Sequence, residues 1–308
     1  MNLYPATAFA RHLLTARGTA GHGVHSPFVF DFLTNVVRGK IDPKIYGEVE
    51  SLRREMLADR RTVRITDLGA GSATRKGEER RISEIARTAA LPPRQAGLLA
   101  RVARRSQGVQ QRSPAPTGEF TRSGATQSRT SGRAHKEQSD AVPHQREGSG
   151  QASENPIILE LGTSLGISSL ALALAATEQH VVTVEGCPAL AEIARQNLLR
   201  HGAGNVTVNN TEFSSALEML RTLRTTISMA FIDGNHRGMA LKQYIETIRS
   251  MGNEMIIVAD DIHLSREMYG AWRSLASSGI AAATLETFRF GFLFCLRNLT
   301  PGDYRIRH

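Results

Sequence analysis

Three carboxylates and two histidines cluster in two short stretches: Asp233 and His236 in FIDGNH, and Asp260, Asp261 and His263 in VADDIH. Each stretch closes an apolar run that reads as a buried strand, and neighbouring strands of a parallel α/β sheet end in one crevice. Three carboxylates meeting there suit an octahedral, oxygen-ligated Mg²⁺, which acidifies a bound hydroxyl. Asp261, standing before a helix, reads equally as a helix cap. His263, two residues past Asp261, is a candidate base or ligand.

A second constellation lies upstream in PIILELGTSLGISSLALALAA, residues 156–176. An apolar run, a loop between Gly162 and Gly166, and a Leu/Ala-rich helix make the opening unit of a nucleotide-binding α/β fold. Glycines let backbone approach a ligand closely, and the helix N-terminus offers unpaired N–H groups. HVVTVEG follows, a second strand ending in Glu185. An acid at that tip is where such folds hydrogen-bond a ribose diol.

The elements that must hold these groups alternate from Pro156 onward. Strands are predicted at 157–161, 180–185, 206–209, 228–233, 255–260, 281–288 and 291–296, and helices at 168–176, 188–201, 214–223, 239–250 and 265–278. Such alternation builds a mostly parallel sheet covered by helices on both faces. The last two strands, joined through Arg289 and Phe290, must form an antiparallel hairpin.

Ahead of this domain (156–308), residues 1–104 read as a mainly helical cap. Ser26-Pro27 marks a helix start, 43–58 forms a further helix, and ISEIARTAA and RQAGLLARVAR follow. ITDLGAGS imitates a strand and glycine loop, but the polar ATRKGEERR after it is no buried helix. It reads as a lid segment, with Arg75, Lys76, Arg80 and Arg81 able to hold an anion. Residues 105–155 are Ser, Gly, Gln, Arg and Pro with almost no large apolar side chain. They bury too little to offset the entropy of ordering and read as a disordered insert.

Composition narrows the classes. No apolar run approaches the ~20 residues that span a bilayer, no signal-type h-region opens the chain, and two cysteines, Cys187 and Cys295, make neither a disulfide framework nor a zinc cluster. A cytoplasmic, non-membrane protein is expected. The net charge of +9 comes from scattered arginine rather than a basic block, which disfavours nucleic acid. Cys187 reads as buried or ligand-adjacent, and Trp272 as helix packing.

LELGTSLGIS, VTVEG, FIDGNH and VADDIH together resemble class I methyltransferases that use S-adenosyl-L-methionine, in particular the catechol and caffeoyl-CoA type of small-molecule O-methyltransferase. The resemblance covers roughly residues 156–296. It implies a Rossmann-like, seven-stranded, mostly parallel sheet with a C-terminal antiparallel hairpin. Carried over by position, it implies that Glu160, Gly162, Thr163, Ser164, Gly166 and Ser168 contact the methionine part of the cofactor. Glu185, with Gly186 beside it, would hold the ribose, and Glu212 and Phe213 the adenine. Asp233, in contact with the cofactor, would also ligate Mg²⁺ with Asp260 and Asp261, the last standing where the family has asparagine. His236 takes the place of the family's lysine base, so His236 and Asp233 form the expected catalytic pair.

The expected reaction is methyl transfer to a small-molecule acceptor, at a hydroxyl oxygen. A nucleic-acid or protein methyltransferase is the first alternative, although no NPPY-like tetrapeptide follows the fourth strand. A non-catalytic cofactor-binding protein is the second. The loop lacks the closely spaced GxG of a nicotinamide dehydrogenase. A homodimer is one assembly the sequence leaves open.

Overall fold

The computed structural model describes residues 4–16, 24–66, 79–110, 155–252 and 254–308. The N-terminal part comprises α1 (Tyr4–Thr15), α2 (Pro27–Asp31) running into a π-helical turn (Phe32–Val37), and α3 (Pro43–Ala58). Next come the strands β1 (Thr62–Arg64) and β2 (Glu79–Arg81), α4 (Ile82–Thr88) and α5 (Pro93–Gln110). Helix α2 begins where the Ser-Pro pair places it: the Val29 N–H donates to Ser26 Oγ at 3.4 Å, and Pro27 fills the first turn. At α3 the same work falls to Asp42, whose Oδ1 accepts the Lys44 N–H at 2.9 Å.

The second part alternates as its periodicity predicts: β3 (Ile157–Leu161), α6 (Ile167–Ala175), β4 (Val181–Val184), α7 (Pro188–Arg200), β5 (Val206–Asn209), α8 (Phe213–Thr222) and β6 (Ile227–Ile232). It continues with α9 (Gly238–Ser250), β7 (Met255–Ala259), α10 (Arg266–Ser277), β8 (Ala283–Glu286), β9 (Gly291–Cys295) and β10 (Gly302–Arg305). The sheet order is β10-β8-β9-β7-β6-β3-β4-β5. β3 to β7 run parallel, while β9 is antiparallel to both β7 and β8, which makes the expected hairpin.

The sheet has eight strands rather than the seven expected. The extra one, β10, pairs in parallel with β8 at the edge. Its sequence, GDYR, buries only Tyr304, so it carries no apolar run to announce a strand. The two-stranded sheet of β1 and β2 is likewise too polar to read from sequence.

The N-terminal part is mainly helical, as expected, and its long helices pack against the sheet domain. Helix α5 packs along α6 and onto β6 and β7, with α3 against α5 and α6. Phe32, Leu52, Leu99 and Val102 share one core with Ile158, Phe231, Ile256 and Phe292 of the sheet. These helices are therefore a layer on one sheet face, each large apolar side chain contributing about 1.5–3 kcal/mol on burial. Helices α8, α9 and α10 cover the other face over Leu159, Ile232, Ile257 and Trp272. α5 also runs to Gln110, past the boundary expected at 104, and residues 111–154 of the expected insert lie outside the described residues.

Candidate active site

The chain leaves β3 toward β4 and β5 on one side and reaches β6 and β7 on the other, so the sheet's switch point lies at the C-terminal end of β3. Here the glycine loop is sterically fixed. Gly162 has φ +109°, and a Cβ on it would stand 2.2 Å from the Asp233 carbonyl oxygen. Only glycine lets this loop pass the end of β6. Ser164 (φ 49°) and Gly166 (φ 82°) complete the turn into α6.

Beneath the loop lies a buried polar cluster. Thr183 Oγ1 donates to Glu160 Oε2 at 2.6 Å, Ser169 Oγ donates to the same oxygen, and Thr163 Oγ1 lies 2.6 Å from Thr183 Oγ1. Burial pushes the Glu160 carboxyl above its usual range, against the hydrogen bonds from Ser168, Ser169 and Thr183. Glu160, Thr163, Gly166 and Ser168 therefore support the loop from below; none of them lines the cleft.

Above the loop the acid at the tip of β4 faces the glycines. Ser164 N–H donates to Glu185 Oε2 at 2.8 Å, and Cys187 N–H to Oε1 at 2.9 Å. Asn210 Nδ2 donates to the carbonyls of Glu185 (2.7 Å) and Gly186 (3.2 Å), which ties this tip to the end of β5. A cleft of about 300 Å³ opens over these groups. Of the residues expected at a cofactor, Gly162, Ser164, Glu185, Gly186, Glu212, Phe213 and Asp233 all line it. Phe213 lies under Gly234, where a Cβ would come within 2.6 Å of the ring.

Several lining residues, Tyr244, Ile65, Thr66, Ile85 and Ala89 among them, carried no sequence signal, whereas Arg80 and Cys187 did. Tyr244 accepts from Asn235 Nδ2 at 2.9 Å and meets the Phe213 ring edge-on at 5.8 Å. Ile65, Thr66, Arg80, Ile85 and Ala89 bring the N-terminal segment to the cleft wall. Cys187, buried, lines it too. Of the basic group beside DLGAGS, Arg80 reaches the cleft, while Arg75 and Lys76 lie outside the described residues.

The three aspartates gather at the ends of β6 and β7, but with a partner the sequence reading missed. Arg289, in the β8–β9 turn, grips Asp260 with two bonds of 2.6 Å, Nε to Oδ1 and Nη2 to Oδ2. Its Nε is also 3.7 Å from Asp261 Oδ1, and the Asp261 N–H donates to Asp260 Oδ1 at 2.7 Å. Burial lifts the Asp233 carboxyl well above the carboxylate range, helped by the charges of Asp260 and Asp261. Asp261 is raised by burial and by Asp260, with Arg289 and His236 pulling it back; His236 is not among the residues that line the cleft.

This arrangement does not fit the expected Mg²⁺ site. Mg²⁺ demands about six oxygens near 2.1 Å, yet both Asp260 oxygens are taken by a guanidinium. Nor do the aspartates bring three ligand atoms within 4.8 Å of one another; among the described residues only His12, His263 and Glu286 do. Glu286 there is already committed to Trp272 Nε1 (2.7 Å), Arg273 (3.2 Å) and Arg305 (3.3 Å). His263 is held by the Phe288 carbonyl at Nδ1 (2.7 Å) and stacks between Tyr269 and Phe288, away from the cleft.

Residues 159–262 match the methyltransferase-domain family. Among solved structures, the O-methyltransferase from Bacillus cereus in complex with SAH is 24% identical, over 39% of this chain and 61% of its own, with a TM-score of 0.35. Cofactor-bound Rv0187 from MTB is 18% identical over 88% and 98%, with a TM-score of 0.46. The O-methyltransferase TomG from Streptomyces achromogenes, in complex with SAM, is 18% identical over 82% and 78%, with a TM-score of 0.41. No curated protein matches the chain.

Proposed function

We propose that this chain, whose residues 159–262 match the methyltransferase-domain family, transfers a methyl group from S-adenosyl-L-methionine to the hydroxyl oxygen of a small-molecule acceptor. The observation that carries the reading is one cleft lined together by Gly162, Ser164, Glu185 and Asp233, with the Asp233 backbone directly against Gly162.

The residues present fit the cofactor. Gly162 and Gly234 leave bare backbone at the cleft floor, where any Cβ would collide. An ionised carboxylate offers about four acceptor sites, so Glu185 can brace the loop and receive the hydroxyls of a ribose. Glu212 and Phe213, at the start of α8, suit the flat base, and the loop backbone suits the amino-acid end. A bound sulfonium donor supplies the methyl on a good leaving group. The chain's own tasks are then to align the acceptor and receive its proton. Asp233, made more basic by burial and by its acidic neighbours, lines the cleft and can serve that purpose. His236, three residues beyond Asp233 in the loop after β6, is the second candidate to take the proton. The N-terminal segment supplies the remaining wall, through Ile85, Ala89 and Arg80.

Incubation with methyl-labelled S-adenosyl-L-methionine and a panel of phenols, catechols, aliphatic alcohols, RNA and peptides tests this. Label is expected in a hydroxylated small molecule. Label confined to RNA or peptide would contradict the reading, and so would cofactor binding without turnover on any acceptor.

A further inference from the structure

We propose that Arg289 is the built-in cation of this site: its guanidinium occupies the place among Asp233, Asp260 and Asp261 that a divalent ion would need, so the methyl transfer proposed above proceeds without a metal. The inference rests on that methyl-transfer reading for its consequence, but its geometry stands apart from it.

Asp260 is the most enclosed of the three, its side chain fully buried, while that of Arg289 is 28% exposed. Two bonds of 2.6 Å make a fork-on-fork pair that uses both carboxylate oxygens. Oδ1 also receives the Asp261 N–H. A dication would have to displace the guanidinium or sit against a fixed positive charge.

The arginine is not free to swing away. Its carbonyl accepts the Ile262 N–H at 3.1 Å, which ties its backbone to the segment that follows Asp261. The turn itself is closed by Thr287 N–H on the Phe290 carbonyl (2.8 Å) and Phe290 N–H on Thr287 Oγ1 (2.9 Å). At the other end Nη1 reaches Gln95 Oε1 of α5 at 3.4 Å. Backbone, turn and head group are thus fixed from three elements.

The charge follows the same logic. Asp233, Asp260 and Asp261 stand at the ends of adjacent strands, and Arg289 is the cation paired with Asp260 and within 3.7 Å of Asp261. Lysine has no planar fork and would hold one oxygen at a time. Arg289 touches Asp260, not the acceptor, so it is a positioning residue: it fixes the Asp260–Asp261 pair behind Asp233 and sets the charge next to the proton-accepting groups.

The test is a titration of Mn²⁺ into the full chain saturated with S-adenosylhomocysteine, followed by calorimetry and by the loss of the free Mn²⁺ spin signal. The wild type is expected to show no saturable site. Arg289→Met, which keeps the stem and removes the charge, is expected to gain one Mn²⁺ site that Asp260→Asn in the same background abolishes. Arg289→Lys should stay metal-free. A saturable Mn²⁺ site in the wild type that Asp260→Asn removes would overturn the proposal, and this arm stands even where Arg289→Met does not fold. An Arg289→Met protein that folds yet gains no site would overturn it as well. Failure of S-adenosylhomocysteine to bind would instead count against the methyl-transfer reading, with the Mn²⁺ titration still deciding the role of Arg289.

Discussion

The backbone N–H of Ser164 donates to Glu185 Oε2 at 2.8 Å, so the glycine loop after β3 and the acid at the tip of β4 form one braced pair. The second oxygen of Glu185 takes the Cys187 N–H at 2.9 Å. A carboxylate fixed by two backbone donors keeps its orientation toward the cleft without a substrate present.

Removing that brace should act twice. Hydrogen bonds to a charged group contribute about 1.5–3 kcal/mol, and Glu185→Ala is expected to lower unfolding free energy by roughly that amount. Glu185→Gln can still accept from one N–H and should lose less. Urea unfolding of both variants checks the order; equal stability of all three proteins would contradict it.

Two glycines separate steric need from mere presence. Gly162→Ala drives a Cβ to 2.2 Å from a backbone oxygen at φ +109°, so a loss above about 2 kcal/mol is expected, with local displacement of the loop. Gly47 lies inside α3 with nothing within 4 Å of a built Cβ. Gly47→Ala should stabilise by about 0.5–1 kcal/mol. Thermal unfolding of the pair should therefore move in opposite directions.

Glu286 is the anchor under the terminal hairpin. It is buried and binds Trp272 Nε1, Arg273 and Arg305, so truncation strands the buried indole N–H and removes one partner from each arginine, Arg273 keeping Asp303. Breaking a buried ion pair from one side costs about 3–5 kcal/mol, and Glu286→Ala is expected in that range. Glu286→Gln keeps acceptors for the N–H groups and should cost less. Denaturant midpoints of the two variants measure the gap.

His263 gives the fold a pH dependence. Burial pulls its pKa below the ordinary 6.5, against the Phe288 carbonyl and Glu286, which raise it, while His12 and Arg305 reinforce the fall. The unfolded chain then binds the proton more readily than the native one, so this contribution is fully present above about pH 6.5 and is lost as pH falls below it. The gain in stability between pH 5 and pH 7 should be larger in the wild type than in His263→Phe, which keeps the stack on Tyr269 and Phe288 but cannot titrate. Matching pH slopes would contradict the assignment.

Much of the sheet was legible because its strands are short apolar runs bounded by polar or glycine residues. β3, β4, β6 and β7 lie within one or two residues of their predicted bounds. The cleft was legible through Glu185 and the glycines, whose spacing is set by one strand–helix–strand unit. Arg289 was not, because it depends on register: β7 and β9 pair antiparallel with Ala259 opposite Gly291, which swings the β8–β9 turn against Asp260. That the N-terminal helices form a layer on one sheet face was not legible, because no sequence pattern names the surface a helix packs against. Glu160, Thr163 and Ser168 belong to the motif, and burial makes them its support rather than its surface.

The central claim is that the cleft between Gly162, Glu185 and Asp233 holds S-adenosyl-L-methionine. Calorimetric titration of S-adenosylhomocysteine into the wild type and Glu185→Ala tests it most directly. One saturable site is expected in the wild type, weakened by at least about tenfold, or ~1.4 kcal/mol, in the variant. No binding to the wild type, or equal binding to a folded Glu185→Ala, would contradict it.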